Sequence, residues 1–205
     1  MANLKVPFNL HILILIVVGI LIRIPTLTDP SLLIDGDEAV IGLMASDWLK
    51  EGVFPTYFIG QQYGFSAVEA CVAGVFFSIF GMTDWALKLS SLAIWITGII
   101  FFYKALSQFK PKQNKLAFFV SLILITAPTW LYWGMKSRGG YISAFAFSAI
   151  LLFLITKKEL WSNPRAIAIG GCFALISQFQ SLWLISMLPI GLYFIFKSEQ
   201  LAQLK

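Results

Sequence analysis

The chain has 205 residues, of which 59% are hydrophobic and 12% charged, with a mean hydropathy of +0.82 and a formal charge of +5. So much apolar surface excludes a soluble domain of this size and implies an integral membrane protein. The positive charge does not point to nucleic acid, because the lysines come in short clusters between apolar runs, the pattern of cytoplasmic loops under the positive-inside rule.

Phe8 to Ile24 is the first apolar run, preceded by Lys5 and closed by Arg23 and Pro25. No small-x-small cleavage site follows it, so it reads as an uncleaved first span with a cytoplasmic N-terminus. His11, the only histidine, has no evident partner and reads as a packed or interfacial imidazole. Cys71 and Cys172 lie in apolar segments without CxxC spacing and indicate neither a disulfide framework nor a metal site.

Eight of the ten acidic residues fall between Asp29 and Asp84. Carboxylates gathered beside a membrane cost stability unless water, a cation or a substrate satisfies them, so function is expected here. Asp35 precedes a stretch to Lys50 in which Val40, Ile41, Met44 and Trp48 recur at helical spacing. This predicts an amphipathic helix on the membrane surface, closed at Glu51-Gly52 and kept from resuming by Pro55. Gly60 to Gly64 (GQQYG) is turn-rich.

Phe65 to Phe80 decides the topology. It has about sixteen residues and contains Glu69, whereas a perpendicular span needs about 20 apolar residues. If it crossed, the clusters Lys104/Lys110/Lys112/Lys115 and Lys157/Lys158/Arg165 would lie outside, against the charge rule. As a second surface helix it puts both clusters in the cytoplasm. The expected fold is therefore all-α, one membrane domain over 1–205, a polytopic bundle with amphipathic surface helices in the first exterior loop (26–84). The spans are about 8–25, 85–103, 116–134, 141–156, 166–180 and 182–196, with both termini cytoplasmic. The exterior face then receives the acidic loop, the loop Lys136-Ser137-Arg138-Gly139-Gly140-Tyr141 and the Gln178/Gln180 turn.

Asp35 and Glu38 have the spacing of a capping box, which gives them a structural role beside any functional one. Asp37 is not needed for the box. It favours the helix dipole, and it also reads as a general base or metal ligand at the membrane boundary. Lys136 and Arg138 are cations on the face that normally avoids them. Arg138 suits a phosphate through its planar fork, with Gly139-Gly140 letting main-chain N–H groups approach the same anion. The alternative is that both cations snorkel to lipid headgroups.

These residues resemble a family. Asp35-Gly36-Asp37-Glu38-Ala39, Gly42-Leu43-Met44-Ala45, Glu51-Gly52, Gly60-Gln61-Gln62-Tyr63-Gly64, Glu69, and Phe80-Gly81 with Leu87-Lys88-Leu89 are similar to the N-terminal portion of polytopic, lipid-dependent C-type glycosyltransferases. The bacterial branch related to protein O-mannosyltransferases and lipid A aminoarabinose transferases is the one resembled, and Arg138-Gly139-Gly140-Tyr141 is similar to its second exterior loop. Members are usually much longer, so the resemblance implies the N-terminal part of a longer architecture in the bacterial cytoplasmic membrane.

The resemblance implies inverting transfer of a sugar from a polyprenyl-phosphate donor to a lipid, glycan or protein acceptor. It puts the catalytic base on Asp37, with Glu38 adjacent. Asp35, Tyr63, Glu69, Lys136, Arg138 and Tyr141 would bind substrate, the two cations meeting the charge of the leaving phosphate. A divalent cation such as magnesium or manganese is left open. The rival readings are a non-catalytic or truncated membrane subunit, and a transporter. The near absence of charge within the expected spans speaks against the transporter.

Overall fold

The computed structural model describes residues 8–29, 34–61, 64–109, 114–157 and 162–197. It is all-helical. In chain order the helices are α1 (Phe8–Leu21), α2 (Ile24–Leu27), α3 (Gly36–Glu51), α4 (Ala67–Phe80) and α5 (Asp84–Phe109), then α6 (Asn114–Thr126), α7 (Pro128–Trp133), α8 (Tyr141–Thr156), α9 (Asn163–Phe179) and α10 (Ser181–Lys197). Tyr57 and Phe65 form an isolated antiparallel bridge. Among the described residues two helical stretches, Asn9–Leu27 and Asp84–Phe109, are long and apolar enough to cross a membrane.

α5 is the axis of the bundle. Its 26 residues span about 39 Å, and α1, α4, α6 and α8 all pack on it. Partner residues fix the directions. His11 near the start of α1 meets Tyr103 near the end of α5, while Gly19 faces Trp95 and Ile96, so the two helices are antiparallel. α8 runs parallel to α5, with Phe145 against Gly98 and Thr156 bonded to Gln108. α9 returns beside α8, its Arg165 bonded to the carbonyls of Leu154 and Lys157 and its Phe179 against Phe147. One end of the bundle thus gathers Lys104, Lys115, Lys157 and Arg165. The other gathers the acidic loop, the 134–140 loop and the α9–α10 turn.

α4 belongs wholly to the second end. Glu69 at its start reaches the first turn of α8, and Phe80 at its close packs on Trp85 at the first turn of α5. Both contacts are with helix starts at the same end, so α4 does not run down the bundle. α3 closes over it, burying Ile41, Met44 and Ala45 against Ala70, Ala73 and Phe77. Trp48 covers Gly74, where a β-carbon would come within 2.7 Å of the indole. The expected helical face of α3 is the buried one, and Gly52, at φ 71°, ends the helix in the left-handed conformation.

The expected segment boundaries shift in three places. The run 116–134 is broken at Ala127, because Pro128 has no N–H to extend α6 and instead opens α7. The first run bends at Ile22-Arg23, ahead of Pro25, where the Arg23 guanidinium donates to Gly19 O at 2.9 Å and Trp130 O at 2.8 Å. α5 continues to Phe109, past the expected end at 103. His11 has a partner that the sequence did not suggest: Nδ1 lies 2.9 Å from the Tyr103 hydroxyl, and the ring stacks on Phe118.

Candidate functional site

The first turn of α3 makes the capping box expected from Asp35 and Glu38. Asp35 Oδ1 accepts the Glu38 N–H at 3.1 Å, and Glu38 Oε2 accepts the Asp35 N–H at 3.2 Å. Each carboxylate has a second task. Asp35 Oδ2 takes Lys136 Nζ at 2.6 Å and Arg138 Nε at 3.1 Å, together with Arg138 Nη2. Glu38, fully buried, takes Lys88 Nζ at 2.5 Å and stands 3.8 Å from Lys136 Nζ. Three acids (Asp35, Asp37, Glu38) and three bases (Lys88, Lys136, Arg138) therefore form one balanced cluster, the condition under which buried charges are tolerated.

Aromatic rings hold the cations from below. Lys136 Nζ lies 4.2 Å from the centre of the Tyr132 ring, and the Arg138 guanidinium 4.8 Å from that of Trp133. Ser137 between them is fully buried and bonds Ser91 on α5. Burial pushes the Asp35 carboxyl up, but the hydrogen bonds from Lys136, Arg138 and the Glu38 N–H outweigh it and hold the group well below the usual carboxylate range. Lys136 and Arg138 are correspondingly raised by Asp35.

Asp37 is different. It leaves α3 on the exposed side, its side chain 53% accessible, with Oδ2 3.9 Å from Arg138 Nε. Asp37, Arg138, Gly139 and Tyr141 line a cleft of about 150 Å³, completed by Phe58 and Gln61 of the first loop and Gln180 of the α9–α10 turn. That turn is anchored to both loops. Gln180 Nε2 donates to Gly139 O at 3.3 Å, the Phe65 N–H donates to Gln178 O at 3.0 Å, and the Tyr57 hydroxyl donates to Gln178 Oε1 at 3.1 Å.

The residues singled out from the sequence thus divide. Asp37, Arg138 and Tyr141 face the cleft. Asp35, Glu38 and Lys136 form the charged support behind it, which moves Glu38 from the catalytic position beside Asp37 to a buried ion pair. Glu69 does not reach the cleft at all and is fully buried. Tyr63 lies outside the described residues. The main-chain N–H of Gly140 does meet a carboxyl group, but an internal one: it donates to Glu69 Oε1 at 3.1 Å. Ser143 adds its N–H and hydroxyl to the same oxygen, both at 3.4 Å. Burial nonetheless pushes the Glu69 carboxyl up to about 7, against the lowering by Ser143 and Gly140.

Sequence reasoning missed Lys88 as a member of the cluster. Its signal was present, since Lys88 is the only cation in the apolar run from Trp85 to Tyr103 and had to find an anion. Phe58 carried no such signal, and Gln180 only that of a polar turn expected on the same face as the two loops. Among the described residues no group of three His, Cys, Asp or Glu side chains gathers to hold a metal ion. Asp37 is the carboxylate that the cleft exposes. Comparison with protein-family models, with curated proteins and with solved structures finds no match to this chain.

Proposed function

We propose that the chain is a membrane glycosyltransferase that moves a sugar from a polyprenyl-phosphate donor to an acceptor at the exterior face of the cytoplasmic membrane. The observation that carries this reading is the placement of Asp37 and Arg138 together in one polar cleft at the end of an apolar bundle. The acceptor hydroxyl or amine attacks the anomeric carbon while its proton passes to the Asp37 carboxylate. The bond from that carbon to the phosphate oxygen breaks, and the electron pair leaves on the phosphate. Arg138 meets that charge. Asp35 uses two of its five N–H groups and so orients the guanidinium while leaving donors for a ligand.

The membrane setting is supported by the outer surface of the bundle. Leu13, Val17 and Leu21 on α1, Phe119 and Ile123 on α6, and Leu182 and Ile185 on α10 are large apolar side chains left exposed. A belt of this kind fits lipid rather than water. On this reading α1–α2, α5, α6–α7, α8, α9 and α10 cross, α3 and α4 lie on the exterior surface, and the lysine-bearing end is cytoplasmic.

The test is transfer from a polyprenyl-phosphate sugar in membranes containing the protein. Asp37→Asn keeps size and the α3 start but cannot accept a proton, and should lower the rate by about 100- to 10,000-fold. Near-parent transfer by Asp37→Asn removes Asp37 from the chemistry. A second reading, a non-catalytic membrane subunit, is favoured by one observation: Asp35 already pairs both cations assigned to the phosphate. Absence of transfer by the parent protein, alone and joined to any longer natural chain, favours it.

A further inference from the structure

The Gly139-Gly140 turn is where three exterior segments meet. Gly139 and Gly140 have φ of 59° and 100°, a conformation that residues with a β-carbon rarely adopt. There is also no room for one. A β-carbon on Gly64 would come within 2.9 Å of Gly139 O, and one on Gly140 within 2.8 Å of Phe179 O. Phe58 presses on Gly139 from the first loop. Those contacts hold the outer side of the turn, and its inner side, toward α4, is held separately.

Glu69 occupies that inner position. Its Oε1 collects the Gly140 N–H and both donors of Ser143, at the first turn of the 16-residue helix α8, while Oε2 is buried without a hydrogen-bond partner. A buried carboxyl oxygen left bare is costly, and the three donors on its twin are what offset the burial of this side chain. The two residues flanking the turn, Arg138 and Tyr141, are both cleft-lining.

We infer that Glu69 is the positioning residue of the cleft: by accepting the Gly140 N–H and the Ser143 donors, it locks the 138–141 segment so that Arg138 and Tyr141 face the ligand. Glu69 itself does not touch the ligand. For the ligand it positions, the inference rests on the glycosyltransferase reading, but its structural part can be tested apart from it. Glu69→Gln keeps an acceptor oxygen in the same place, and Glu69→Ala removes it.

The reporter is Ser137→Cys, a nearly isosteric change at a fully buried site one residue before Arg138, in a chain with Cys71→Ser. Its reaction with a water-soluble maleimide in detergent measures opening of the loop. Native Cys172, buried in α9, reports general loosening. Labelling at position 137 should be at least about tenfold faster in Glu69→Ala than in the parent and close to the parent rate in Glu69→Gln, with Cys172 protected in all three. In the transfer assay, Glu69→Ala should raise donor KM more than it lowers kcat, and Glu69→Gln should restore it. Equal labelling at position 137 in parent and Glu69→Ala overturns the inference. So does labelling at 137 and Cys172 rising together, or Glu69→Gln behaving like Glu69→Ala. The expected labelling pattern in a protein without transfer activity upholds the lock and sinks only the glycosyltransferase reading.

Discussion

Nε of Arg138 lies 3.1 Å from Oδ2 of Asp35, although 103 residues of chain separate them. The oxygen that receives it belongs to the N-cap of α3, so the start of one helix and the 134–140 loop share a single anion. Lys136 converges on the same atom at 2.6 Å. The two loops, which also touch through Phe58 and Gly139, are fixed to one another by charge at the mouth of the cleft.

Asp35→Asn should therefore be damaging. As a cap alone the change is mild, because Asn accepts the same N–H. The lost charge is another matter: Lys136, only 4% exposed, would keep just the more distant Glu38 carboxylate at 3.8 Å among the acids near it. The expected loss is about 2 kcal/mol of stability, read as a lower thermal unfolding midpoint in detergent. A change below about 0.5 kcal/mol would return Asp35 to a simple cap.

The Glu38–Lys88 pair joins α3 to α5 in a site where both side chains are at most 5% exposed. Lys88→Met leaves Glu38 as a buried anion short of its nearest cation, and should cost about 3–5 kcal/mol. In the double variant Lys88→Met/Glu38→Gln both charges are gone, so it should cost less than the two single changes added, with a coupling of about 1–3 kcal/mol. Additive losses in a double-mutant cycle would mean that the pair contributes no mutual stabilisation.

Glu69 predicts a pH dependence of stability. Burial moves its carboxyl from the ordinary 4.5 to about 7 in the folded chain. Between those values the folded state holds a proton that the unfolded state has lost, so stability falls as pH rises through the window and stays low above it. The full effect is about 3 kcal/mol. Unfolding midpoints measured in detergent at pH 5 and pH 8 should differ in that direction for the parent, and the Glu69 component of the difference should vanish in Glu69→Gln. An identical pH profile for parent and Glu69→Gln would show that the carboxyl does not titrate in this range.

Topology is open to cysteine labelling in intact cells. With the native cysteines replaced, Thr56→Cys in the first loop should react with an impermeant thiol reagent, and Lys115→Cys at the opposite end of the bundle should not. Both positions are exposed, so burial does not mask the result. Reaction at position 115 but not at 56 would invert the sidedness, and reaction at both would deny that the bundle separates two compartments.

The sequence by itself determined what depends on local pattern. Apolar runs bounded by Arg23-Pro25, Gly81 and Gly140-Tyr141 set the helices, with α8 beginning at Tyr141 as its sequence requires. The capping box of Asp35 and Glu38 was legible because it joins atoms three residues apart. That α4 would not run the length of the bundle was expected from its short length and from the lysine clusters elsewhere, and its two ends do meet helix starts at one end. What only the tertiary structure decided is which charges meet. Glu38 with Lys88, Asp35 with Lys136 and Arg138, and Glu69 with Gly140 are separated by 50 to 103 residues, and no local spacing encodes such pairings. They are set by the way α5, α8 and the loops converge at one end of the bundle. There each buried charge takes the nearest opposite charge or donor, and Asp37, turned outward by the helical period from Glu38, is the acid left facing the cleft.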